Sequence, residues 1–487
     1  MRRAFYGLSG LLLAGWLLVP APAPSIPSPA NAQPYVWDRD ELWSALEAEF
    51  SAARSAGCAA TAGRMESGLA ALAGDVEWLE AGGHAPDDER LDTLESNLFA
   101  VAPLVAACPE RTPDMISITN RLRSAMKRDS RDWDIGDEVA RNRLYRTLYG
   151  ARMTVEQILL QGDAEAVPDL IVGTEVPSQA PSVVVRGLRV HSGDILVSRG
   201  GAPVSALIAR GNDYPGNFSH IALLHVSEQQ VVSVIEAHIE VGLTVSTLDQ
   251  YLADKKLRIM VLRLDDSLGP MQADPLLPHR AATAALAEAG RRHVPYDFAM
   301  DYREPGSKFC SEVAAAPYAE LGVGLWSGLT TMSSRGTTAW LSALGVEHFE
   351  TLGPSDLEYD PQVVVVAEWR NRQALFDDHV DSAVIDAMLE GAERGNRIEY
   401  EYVGLPVARA MKAYSVLLNA TGRAGPVPEG MGATTALQSR WLDEEHRAIK
   451  DAVLEQADAF KDEKGYVPPY WQLVAMARSE VQARERH

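Results

Sequence analysis

The stretch that decides the reading is Phe218-Ser219-His220-Ile221-Ala222-Leu223-Leu224-His225-Val226, then Ser227-Glu228-Gln229, then Gln230-Val231-Val232-Ser233-Val234-Ile235-Glu236. Two short runs rich in Val, Ile and Leu with a polar break between them read as the strands of a hairpin. With the turn at Ser227-Glu228-Gln229, residue 226 is expected to face 230, and His220 to face Glu236. Even positions (Ala222, Leu224, Val232, Val234) then share one face and odd positions (Ile221, Leu223, Val231, Ile235) the other. Both faces are apolar, so the strands are expected inside a domain. A histidine and a glutamate on one face of such a hairpin come within side-chain reach. Buried there, they cost free energy unless they bond each other or do chemistry. A carboxylate that holds one imidazole nitrogen fixes the tautomer and frees the other as a base, although a purely structural His–Glu pair has the same pattern.

Outward from the hairpin, further strand-like runs occupy residues 193–197, 257–264 and 362–367, and helical periods occupy 280–292 and 310–321. The middle of the chain is therefore expected to be an α+β domain. Cys310 follows Pro305-Gly306-Ser307-Lys308-Phe309 and opens the second of those helices. A sulfur at a helix N-terminus is favoured as thiolate by the dipole and by a nearby imidazolium. Backbone N–H groups at the same end can hold the oxyanion of an acyl intermediate. Pro317 is expected to kink or shorten the helix after two turns.

Taken together, Gly193-Asp194-Ile195-Leu196, Phe218-Ser219-His220-Ile221-Ala222, Val234-Ile235-Glu236-Ala237, Pro295-Tyr296-Asp297-Phe298 and Phe309-Cys310-Ser311-Glu312-Val313 resemble, in that order, the circularly permuted papain-like amidases of the NlpC/P60 superfamily, YiiX/YaeF-like group. In that family the histidine and the third polar residue precede the cysteine. The resemblance implies a permuted papain-like domain with a small antiparallel sheet and a triad of Cys310 as nucleophile, His220 as base and Glu236 as orienting residue. It covers about 185–370 and implies no cofactor. Tyr214, ahead of the histidine strand, and Tyr296, ahead of the cysteine helix, are expected either to line a substrate cleft or to pack in the core or at the rim. Asp194 reads as a turn residue, and Arg303 and Lys308 as solvated surface. A zinc site built from His220, Glu236, His225 and His238 is set aside, because His225 falls on the opposite face and no paired-cysteine or His-Glu-x-x-His motif is present.

The flanks are helical. Residues 33–165 show three-and-four spacing, as in Leu42, Leu46 and Phe50, and form an expected N-terminal helical domain. A connector at 166–184 leads to the hydrolase domain at 185–372, and helical stretches at 383–394, 405–419 and 437–462 fill a C-terminal region, 373–487. Residues 1–32 read as a secretory signal: Arg2 and Arg3, an apolar run over 4–19 shorter than the ~20 residues of a spanning helix, and Ala30-Asn31-Ala32 ahead of Gln33. The chain is thus expected to be exported, periplasmic or extracellular. An oxidising compartment pairs thiols, and of the three cysteines Cys58 and Cys108 share the helical region, which leaves Cys310 free.

The net charge is −22, and −24 once Arg2 and Arg3 leave with the signal. That argues against nucleic acid and against electrostatic binding to anionic lipid. The function expected is an exported thiol amidase or peptidase acting on cell-wall peptides or other envelope molecules. The competing readings are a lipid acyl hydrolase or acyltransferase on the same scaffold, and a non-enzymatic envelope scaffold whose flanks bind a partner.

Overall fold

The computed structural model describes residues 27–162, 167–421 and 423–486. Most of the expected signal segment, residues 1–26, lies outside the described residues. Five helices open the fold: α1 (Asp40–Ala56), α2 (Cys58–Glu80), α3 (Glu89–Ala107), α4 (Thr112–Asp129) and α5 (Glu138–Gln161). Their starts are set by side chains, since Asp88 accepts the Arg90 N–H and Asp137 those of Val139 and Ala140. Leu72, Val76, Leu91, Leu98, Leu122 and Leu148 meet in the bundle core. Cys58 and Cys108 are joined by a disulfide with their Cα atoms 5.4 Å apart, and Cys310 is free and buried.

Next come β1 (Leu170–Val172), β2 (Ser182–Val185), β3 (Leu188–His191), β4 (Ile195–Gly200), α6 (Pro203–Arg210), β5 (His220–Val226), β6 (Val232–His238), β7 (Gly242–Thr247), α7 (Leu248–Ala253) and β8 (Lys256–Leu264). The helices α8 (Gly269–Ala273), α9 (Leu277–Arg291), α10 (Glu312–Glu320) and α11 (Arg335–Ala343) alternate with the short strands β9 (Thr330–Thr331) and β10 (Glu350–Thr351), and β11 (Val363–Trp369) closes the domain. Four helices end the fold: α12 (Arg372–Arg394), α13 (Leu405–Asn419), α14 (Ala433–Lys464) and α15 (Tyr470–Arg484).

The architecture is α+β, with helices flanking a central antiparallel sheet. The sheet is larger than the small one expected, with seven strands in the order β1-β11-β8-β4-β5-β6-β7. The connector expected at 166–184 supplies its edge strand β1, which pairs with β11. The sequence reading did not include β7, which pairs with β6, nor α15. Among the described residues no helix is long and apolar enough to cross a membrane.

Both faces of the sheet are covered, as the two apolar parities of the hairpin require. Ile221, Leu223 and Ile235 pack with residues of α9 and α10, while Ala222, Leu224 and Val234 pack with those of the β2–β3 hairpin. Gly193 makes the sharp entry to β4 at φ +94, where a Cβ would collide with Pro278, and its carbonyl accepts the Tyr318 hydroxyl at 2.6 Å. Asp194 accepts the His191 N–H and pairs with Arg263, a structural role in that turn.

The hairpin register differs from the expected one by two residues. Val226 faces Val232 and Ala222 faces Glu236. The cause is a longer turn: Gln230 adopts φ +62, its N–H bonds to the Ser227 carbonyl, and the Ser227 N–H bonds to the Val231 carbonyl. The Ser227 hydroxyl takes the Val231 N–H as well. A shift of two conserves parity, so His220 and Glu236 stay on one face, now as diagonal rather than direct neighbours.

A buried ionic network joins the three parts of the chain. Glu156 of α5 takes Arg258 of β8 at 2.8 and 3.1 Å, Arg370 at 2.9 Å, Arg152 at 3.1 Å and His379 of α12 at 2.8 Å. The four carboxylates Glu156, Glu358, Glu368 and Asp378 answer the four guanidinium groups of Arg152, Arg199, Arg258 and Arg370. Removing one member of such a set strands charges away from water. Glu156→Gln is therefore expected to lose about 3–5 kcal/mol of stability, read as a lower urea midpoint at neutral pH.

Candidate active site

His220 is the first residue of β5, held by pairing with Ser198 of β4 on one side and by the β6 ladder on the other. Its Nε2 lies 3.0 Å from Glu236 Oε2. Cys310 lies near enough to the same ring to raise its pKa. Cys310 is 4% exposed, and its sulfur lies 3.9 Å from the Ser219 carbonyl. The structure thus brings together Cys310, His220 and Glu236, from the α10 turn, β5 and β6.

The cysteine turn is built by its neighbours. Helix α10 begins two residues after Cys310, whose carbonyl accepts the Val313 N–H at 3.2 Å. Pro317 is accommodated, and the helix runs past it to Glu320. Glu312 folds back so that its Oε2 accepts the Phe309 N–H at 2.9 Å. Burial, with the charge of Asp297 in addition, pushes the Glu312 carboxyl up to about 8 against the pull of that N–H and of Lys308. The segment before it is clamped alongside, with the Lys308 N–H on the Pro295 carbonyl and the Asp297 N–H on the Lys308 carbonyl. Lys308 is not the solvated residue expected: it is 7% exposed and its ammonium pairs with Glu288. Arg303 is exposed and lies over the Tyr302 ring.

Electrostatics fit an imidazolium. Burial alone would lower the His220 pKa, but hydrogen bonding to Cys310 and to Glu236 and the charges of both raise it to about 9. Burial alone would raise Glu236, 1% exposed, yet the two imidazoles of His220 and His238 hold it well below the usual carboxylate range. His238 Nε2 lies 3.1 Å from the same Oε2, and the Ser246 hydroxyl donates to Oε1 at 2.7 Å.

His238 and Ser246 were not among the expected site residues. Their signal was present: 236, 238 and 246 share a face by alternation, and the register with the longer turn sets His238 across from His220. The donor atoms of His220, Glu236 and His238 lie within 4.8 Å of one another and could hold a metal ion. An ion there would take up the His220 nitrogen that bonds Glu236. His225 stacks on His279 and is no part of this group.

The two tyrosines separate. Tyr296 lies close enough to Cys310 that burial and then the Cys310 charge drive its phenol well above the ordinary range. Tyr214 does not line that site. It is 6% exposed in the bundle core, its hydroxyl bonds Asn142 at 2.9 Å, and Arg141 lies 4.4 Å over its ring. Aromatic neighbours from the N-terminal helices, Tyr145 among them, capture the loop before β5.

A folded pKa above the free value means that stability tied to the charged His220 is fully present below about 6.5 and is lost as pH rises through about 9. A histidine-selective NMR titration is expected to place His220 near 9, and to show a clear drop in Cys310→Ala, where burial is opposed by Glu236 alone. An unmoved midpoint would exclude the Cys310 contact as its cause.

Comparison with known families gives a match over the middle of the chain. Residues 189–367 match the family model described as permuted papain-like amidase enzyme, YaeF/YiiX, C92 family. The match contains the strands from β4 to β8, the Cys310 turn and most of β11, and leaves the helical flanks outside. No curated protein and no solved structure matches the chain.

Proposed function

We propose, on the premise that residues 189–367 are a domain of the permuted papain-like amidase family, that this protein is an exported cysteine hydrolase acting on amide bonds of envelope molecules. The observation that carries the reading is the His220 imidazole 3.0 Å from Glu236 Oε2, with the sulfur of Cys310 on the carbonyl of the preceding residue, Ser219, at 3.9 Å. Cys310 is the nucleophile, His220 the proton carrier and Glu236 the residue that orients it. Export rests on the sequence of residues 1–32, with the Cys58–Cys108 bridge in keeping with an oxidising compartment.

In the reaction, the Cys310 thiolate attacks the amide carbonyl carbon and a C–S bond forms. The His220 imidazolium gives its proton to the departing nitrogen as the C–N bond breaks. Water then attacks the thioester, its proton goes to His220, and the acid leaves as the thiolate is restored. Among the described residues, the N–H groups of Cys310 and Ser311 make no hydrogen bond, since the turn's internal bonds begin with Glu312 and Val313. They are the donors available to an oxyanion formed beside the sulfur. Cell-wall peptides fit the amide chemistry and the compartment.

Cys310→Ala is expected to abolish both turnover and labelling by a thiol-directed probe. His220→Ala is expected to slow labelling at neutral pH, and Glu236→Gln to lower turnover about 10²–10⁴-fold through loss of the oriented base. The substrate is read by incubating the mature protein and Cys310→Ala with peptidoglycan fragments and with phospholipids, and following products by mass spectrometry. Cys-dependent cleavage of a peptide amide supports the reading, and cleavage of a lipid ester alone moves it to the acyl hydrolase. Cys310 labelling no faster than in His220→Ala would remove the enzyme reading in favour of a scaffold.

A further inference from the structure

Between the N-terminal bundle and α15 lies a cavity of about 430 Å³ that none of Cys310, His220 or Glu236 touches. Its volume is in the range of small-molecule sites. Trp37, Trp43, Phe99, Tyr149, Tyr470 and Trp471 supply aromatic walls. Trp43 of α1 and Trp471 of α15 stack with ring centroids 5.8 Å apart and planes 11° apart, and Trp43 meets Phe99 edge-on at 5.6 Å.

The charges in this cavity do not cancel. Its two cations are already spent: Arg210 makes two 2.7 Å bonds to Asp386, and Arg478 two 2.7 Å bonds to Glu390. Glu47 is held only by neutral donors, the Tyr466 hydroxyl at 3.0 Å, Trp471 Nε1 at 2.9 Å and Gln472 at 2.9 Å. Asp40, exposed at the start of α1, completes the acidic side. Asp40 and Glu47 thus line the cavity with no guanidinium or ammonium hydrogen-bonded to either, and the charges of Arg478 and Lys464 reach them only at longer range.

Aromatic faces attract cations, and carboxylates balance their charge. We propose that this cavity binds a protonated amine carried on an apolar body. The site is independent of the Cys310 chemistry. An occupant ties α1, α3 and α5 to α15, and so links the two helical flanks.

The test is calorimetry on the whole mature protein with three probes of one shape: 4-phenylbutylammonium, 4-phenylbutanol and 4-phenylbutanoate. The ammonium is expected to bind about tenfold tighter than the alcohol, and the carboxylate weakest of the three. Asp40→Asn, at an exposed position, is expected to keep the fold by circular dichroism and to reduce that preference severalfold; Glu47→Gln is expected to do the same. Cys310→Ala is expected to bind the ammonium as the unaltered protein does. Equal or tighter binding of the alcohol, absence of heat with all three probes at millimolar concentration, or an unreduced preference in a folded Asp40→Asn would each overturn the proposal.

Discussion

The carboxylate of Glu156 is the point on which the fold turns. It is fully buried on α5, and five bonds reach it from four residues: Arg152 one turn earlier on its own helix, Arg258 in the sheet, Arg370 after the last strand and His379 on α12. A lone carboxylate in such a place would take up a proton. Here the cations around it reverse the effect of burial, and its pKa lies well below the ordinary range. The arrangement need not be more stable than an apolar core of the same shape, since each ion has given up its water. What it does impose is register. Bundle, sheet and C-terminal helix meet in an arrangement that sets each of these charges against an opposite one.

That constraint is handed on to the candidate site through the strands. Arg258 also pairs with Asp378 at 3.0 Å, and Asp378 holds Arg199 of β4 at 3.0 Å, with all three side chains fully buried. The residue before Arg199 is Ser198, the partner of His220 across the β4–β5 ladder. His220 thus stands on a strand whose neighbour is pinned from behind by the C-terminal flank. On the other side Glu236 is fixed by His238 and Ser246, so the carboxylate that orients His220 is itself oriented. Three donors on one buried carboxylate keep it ionised, and the ionised form is the one that holds an imidazolium.

The sequence made the strand pattern legible because alternation is a local property. The runs around Ile195, Leu223, Ile235, Met260 and Val365 all proved to be strands of one sheet, and parity alone kept His220 and Glu236 on one face. Register was not legible, because it depended on a positive φ at Gln230, a residue with no special preference for it. The edge strand Leu170–Val172 is three residues long and is defined by its partner β11, so its own composition carried little signal. Tyr214 and Lys308 were misplaced for a related reason. Whether a tyrosine lines a cleft or a lysine meets solvent depends on what packs over it, here Tyr145 and Arg141 for the one and Glu288 for the other.

The family match stops at 189 and 367, which would make the helical flanks additions to a self-contained domain. The charges argue otherwise. Arg199 and Arg258 lie inside the matched stretch and are at most 1% exposed, yet every carboxylate paired with them lies outside it: Glu156 before, Glu368 and Asp378 after. A domain cut to the matched residues would hold two guanidinium groups on its central strands β4 and β8 with no counter-charge. Those strands would have to rearrange to hydrate them, and β4 is the strand against which His220 is set. The flanks are therefore part of what makes the site, whatever else they bind.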